Sequence, residues 1–144
     1  MGSPGPRRMA RETALQVLFA ADLSAGVNPE SVETCFEEVA REFSLPTRAR
    51  EWALELVRGV AANLKEIDER IGRASTNWQI HRIATVDRNI LRVATHELLR
   101  EDTPTEVVID EAVEIARRFA GTLSPAFVNG VLDVVGRERR TTGL

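Results

Sequence analysis

Residues 103–119, TPTEVVIDEAVEIARRF, describe one helix from start to finish. Thr103 and Glu106 have the spacing of a capping box, and Pro104 stands at the first helical position, where a missing N–H costs nothing. Val107, Val108, Ile109, Ala112, Val113, Ile115, Ala116 and Phe119 then cover a wide apolar arc, so this helix is expected to be central. Gly121 stops it.

The same period continues on both sides. Downstream, Ser124-Pro125 caps and starts a helix whose Val128, Val131, Leu132 and Val135 face inward, and the tail beyond Arg137 is expected to fray. Gly130 falls inside that helix, where glycine costs about 1 kcal/mol against alanine, so close helix approach is expected there. Upstream, Thr85 precedes a helix ending near Arg100, with Ile83, Val86, Ile90, Val93, Ala94 and Leu98 as its stripe. Trp78 to Ile83 suggests a short helical turn, and Ala74 to Asn77 a subdomain boundary, near 73–77. Thr47 can cap a long helix reaching Ile71, closed by Gly72. Asn28-Pro29 caps and starts another, with Val32, Phe36, Val39 and Phe43 inside and Cys35 beside them as a small core hydrophobe. The first helix spans Arg7 to Leu23. No segment alternates with a period of two, and no hairpin dipeptide joins β-branched runs, so the expected fold class is all-α. Residues 1–6 are expected to be a flexible arm, 7–140 a single helical domain and 141–144 a frayed tail.

The 144 residues are 43% hydrophobic and 28% charged, a balance that suits one globular domain with a proper core. The net charge is only −3, so basic character is local, at Arg7, Arg8, Arg11 and again at Arg137, Arg139 and Arg140. All basic residues but Lys65 are arginine. The single cysteine forbids an internal disulfide and fits a reducing cytoplasm. No apolar run is long enough to span a membrane, and no signal peptide is expected.

The opening arginines are in a costly place, because a helix N-terminus is itself partly positive. On a 3.6-residue period Arg8, Arg11, Leu15 and Phe19 share one side, and arginines followed by a ring suit single-stranded RNA; a solvated basic tail with Phe19 in the core is the plain alternative. A second candidate is Ser124-Pro125-Ala126-Phe127, where a helix start offers free N–H groups to an anion and Phe127 either stacks on a base or caps the core. Asp87 and Arg88 are read as an outward, charged edge for a docking partner, and Arg92 and Glu97 as an internal ion pair or surface network. His81, His96 and Cys35 share no metal-ligand spacing, no glycine-rich phosphate loop occurs, and no carboxylate pair is marked for acid–base work. Neither an enzyme nor a bound cofactor is expected.

Taken together, ARETALQVLF after an arginine pair, VDRNILRVATHELL, TPTEVVIDEAVEIARRF and SPAFVNGVLD resemble the NusB family of transcription antitermination factors, in register from about Arg7 to Val135. The resemblance implies seven helices in two three-helix halves. It implies binding to the boxA element of ribosomal RNA leader transcripts together with NusE, a small-subunit ribosomal protein, on an elongating RNA polymerase complex with other Nus factors. Position by position it assigns RNA contacts to Arg7, Arg8, Arg11, Phe19, Ser124, Phe127 and Asn129, and partner contacts to Asp87 and its neighbour Arg88. Met9, Phe19 and Ala126 depart from the family pattern where relatives carry an arginine, a tyrosine hydroxyl and a lysine, so weaker RNA binding by the chain alone is expected, with NusE restoring it. Two other readings are a helical protein-interaction module without an RNA role, and the NusB-like domain of an RNA methyltransferase, whose glycine-rich βα units the sequence lacks. Monomer and homodimer both remain open.

Overall fold

Seven α-helices and one 3-10 turn account for the regular structure in the computed structural model, which describes residues 5–75 and 79–142, and no strand occurs among them. The helices are α1 (Pro6–Leu23), α2 (Pro29–Glu42), α3 (Thr47–Ala62), α4 (Leu64–Ala74), α5 (Thr85–Arg100), α6 (Thr105–Phe119) and α7 (Ser124–Thr142), with the 3-10 turn at Ile80–Arg82. No helix among the described residues is long and apolar enough to cross a membrane.

The chain divides into two compact units, one ending at Leu64 and the other beginning at Lys65. In the first, α1, α2 and α3 pack on one another. Ala10, Ala14, Val17, Leu18 and Ala21 of α1 meet Val32 and Phe36 of α2 and Ala49, Ala53, Val57 and Val60 of α3 in its core. Cys35 is buried there as expected, and burial, followed by the nearby Glu38 charge, pushes its thiol pKa up. Asn28 caps α2 in a reciprocal box: its side chain accepts from the Ser31 N–H at 2.8 Å while Ser31 Oγ accepts from the Asn28 N–H at 3.1 Å.

The second unit is built on α5, α6 and α7. Its central helix is α5, not α6 as the wide apolar arc suggested. From Asn89 to Leu98 every residue of α5 is buried, whereas Val107 and Phe119 of α6 are each 43% exposed. Polar residues of α5 are therefore buried with the rest: Arg92 donates to both carboxylate oxygens of Asp68 in α4 at 2.9 Å and to Asn89 Oδ1 at 3.0 Å, whereas the buried Thr95 hydroxyl has no hydrogen-bond partner among the described residues. Arg92 is thus ion-paired inside the unit, with Asp68 at 2.9 Å, and Glu97 is also buried and engaged.

Several local expectations are corrected. The long third helix is two helices, broken at Asn63, whose N–H turns back to the carbonyls of Gly59 and Val60 and whose side chain bonds Gly59 again at 3.0 Å. The α6 N-cap is Pro104 with no side-chain cap bond, so the Thr103–Glu106 box does not form. Phe43 follows the end of α2 in extended backbone and is 48% exposed. A Cβ on Gly130 would meet nothing within 4 Å; the close approach in α7 is at Gly136, where a Cβ would stand 3.2 Å from Thr105 Cγ2. Helical backbone continues to Thr142. Residues 76–78, in the expected boundary and the Trp78 turn, lie outside the described residues, as do 1–4 and 143–144.

Candidate nucleic-acid interface

In the first unit the candidate surface is the start of α1. Gly5 and Pro6 begin the helix, and no acidic residue stands in its first turn. Arg7 is exposed and Arg8 half-buried, but Arg11 is 6% exposed and already engaged. Leu15, one turn on, is buried too. On the side of α1 shared by Arg8, Arg11, Leu15 and Phe19, the two middle residues are buried and the two end residues are half-buried. The reason is that α1 packs on both α2 and α3, which covers the middle of that side. An aromatic ring of α3, that of Trp52, lies against Arg7, whose guanidinium carbon is 4.0 Å from the ring centroid.

In the second unit the start of α7 faces the start of α5 across a cleft of about 430 Å³. Arg82, Ile83, Ala84, Asp87, Leu123, Ser124 and Phe127 line it. Asp87 and Ser124 are brought together at its floor, where the Ser124 hydroxyl donates to Asp87 Oδ2 at 3.0 Å and both residues are buried. Phe127 is half-buried on the wall, Leu123 is 84% exposed on the rim, and Asn129 is exposed on α7. Chemically the cleft pairs an apolar ring with a buried carboxylate and, at its edge, an exposed arginine. It suits a flat heterocycle or an apolar side chain bearing a donor group.

Two expectations change here. Asp87 does not face outward, because α5 is central and its first turn lies under α7. Arg88 is not a free edge charge either: its guanidinium reaches the carbonyls of Ile80 at 3.4 Å and Ile83 at 3.0 Å and holds the 3-10 turn. Sequence reading missed Trp52 because its partner Arg7 lies far away along the chain. Among the described residues no group of three His, Cys, Asp or Glu side chains is placed to hold a metal ion.

Two helical units whose open features are helix starts, arginines and half-buried rings define an all-α binding protein. The family model described as "NusB family" matches residues 8–137, and the chain belongs to the NusB family. As a member of it, the protein is not an enzyme. It is 46% identical to the "Transcription antitermination protein NusB" of Desulfotalea psychrophila, over 90% of this chain and 94% of that one. Among solved structures it is similar to the NusB of T. maritima, at 38% identity and a TM-score of 0.83 over the whole of both chains. It is similar also to a chain in a structure of the antitermination factors NusB and NusE in complex with dsRNA, at 31% identity and a TM-score of 0.82, covering 92% of this chain and 97% of that one.

Proposed function

We propose that this chain is an RNA-binding antitermination factor that binds the boxA element of ribosomal RNA leader transcripts together with NusE and joins the elongating RNA polymerase complex in the cytoplasm. The likeness to a chain solved in a complex of the antitermination factors NusB and NusE with dsRNA supports this reading. Arg7 and Arg8 hold phosphates, and Arg11 supports that turn from inside rather than reaching solvent. Phe127 offers a ring to an unpaired base, with Ser124 and Asn129 beside it, and Phe19 adds apolar surface at the far end of α1. Asp87, fixed by Ser124, and the turn held by Arg88 shape the cleft that NusE docks beside. Among the described residues each unit carries one candidate surface, and no bond is made or broken at either.

Fluorescence anisotropy of a labelled boxA-type RNA, with and without NusE and against a scrambled RNA, tests this. Expected is tighter binding to boxA when NusE is present, with log affinity falling against log salt by at least about 1.4, from about 0.7 for each of two single-strand phosphate contacts. Replacing Phe127 with alanine should weaken binding by about 1 to 3 kcal/mol while helicity is kept. Equal or absent binding to both RNAs by the folded protein with NusE would refute the RNA function, and complex formation with NusE alone would leave a protein-interaction module.

A further inference from the structure

The indole of Trp52 collects two cations: Arg7 of α1 at 4.0 Å and Arg48 of α3 at 5.1 Å, measured from guanidinium carbon to ring centroid. The ring is half-buried and both arginines are exposed. Among the described residues neither guanidinium has a carboxylate within ion-pair distance, whereas Arg50 and Arg58 of the same helix are neutralised by Glu37 at 3.6 Å and Glu33 at 2.7 Å. Arg7 and Arg48 are each the second residue of their helices, where a cation weakens the helix it sits on. Helix stability therefore does not account for either.

A guanidinium stacked on a ring keeps its full charge and leaves its in-plane N–H edge uncovered, ready for two parallel bonds to phosphate oxygens. Stacking also fixes a side chain that would otherwise lose rotamer freedom on binding. With Arg7 at stacking distance, that face of the indole is already occupied, so a base is not its natural partner. We propose that Trp52 is a positioning residue that holds Arg7 and Arg48 as a two-guanidinium clamp for the phosphate backbone of single-stranded RNA. The clamp extends the RNA surface of α1 onto α3, and it rests on the RNA-binding reading given above. A backbone clamp adds affinity without reading sequence.

The test uses the full chain with NusE, labelled boxA-type and scrambled RNAs, and anisotropy over a range of salt. Arg48→Gln should weaken binding about three- to tenfold, by the same factor on both RNAs, and make the salt slope shallower by about 0.7. Trp52→Phe keeps a ring and should retain affinity and slope, whereas Trp52→Leu should reproduce the Arg48→Gln loss or exceed it. Wild-type binding with an unchanged affinity and slope in Arg48→Gln overturns the clamp and leaves the RNA function standing. Equal losses in Trp52→Phe and Trp52→Leu overturn the positioning role of the ring. No RNA binding by the wild type overturns the RNA function and the clamp together. Arg48 is exposed, so its variant reports on the clamp even if Trp52→Leu fails to fold.

Discussion

Gly26 and Gly130 are small for different reasons, and substitution separates them. Gly26 has φ +86°, donates its N–H to Ala21 O at 2.8 Å and accepts from Ser31 Oγ at 2.6 Å, so the turn between α1 and α2 needs its left-handed backbone. Gly26→Ala should lower stability by about 1 kcal/mol in urea unfolding. Gly130 sits in helical backbone with open space above it, and Gly130→Ala should raise stability by about 0.5 to 1 kcal/mol. A loss there would mean that the glycine is needed by the fold after all. Single residues were also where sequence was least legible. A charged side chain is expected outside by default, yet Arg11 and Asp87 are inside, and the partner that satisfies Asp87 is Ser124, 37 residues away. Cys35, with apolar residues at helical spacing around it, was legible because its environment is local.

Helix boundaries were readable wherever proline or an Asx cap marked them, as at Asn28-Pro29, and unreadable where a helix breaks without a sequence breaker. At Asn63 the apolar period runs on through Ile67 and Ile71, so pattern alone predicts one helix; the break depends on the asparagine side chain bonding back to Gly59. The separate α4 is then held to α5 by the Asp68–Arg92 pair, in which the Arg92 side chain is 7% exposed and that of Asp68 21%. Asp68→Ala should cost about 3 kcal/mol, because it strands a buried guanidinium, and adding Arg92→Met should recover much of that loss. A double variant no more stable than Asp68→Ala would show that the pair is not the source of the effect. The clasp between α2 and α3 is of another kind. Glu33 and Arg58 meet in solvent, and the hydrogen bond from Arg58 holds the Glu33 carboxyl below its ordinary value of 4.5. A depressed carboxyl stabilises the folded state above that value and stops doing so as pH falls through its folded pKa. Wild type should therefore melt slightly above Glu33→Gln at neutral pH, and the gap should close as the solution is acidified below pH 4.5. A gap unchanged in acid would contradict the assignment.

At the scale of the whole molecule, the all-α class and the order of the helices were legible because every strong apolar period is helical, while the choice of central helix was not. The arc on α6 is wider than the stripe on α5, yet α5 is the more buried, since α6 and α7 both pack on it and α4 is clasped to it through Arg92. Burial of polar groups such as Asn89 and Arg92 leaves no mark in an apolar count. The division between Leu64 and Lys65 also bears on how the protein comes into being. Chains leave the ribosome N-terminus first, and units fold as they emerge. Because α1, α2 and α3 find their packing partners among themselves, the half that carries Arg7, Arg48 and Trp52 has all the chain it needs while α5 to α7 are still being translated. The nascent polypeptide is thus expected to acquire the face carrying Arg7 and Arg48 before its synthesis is complete.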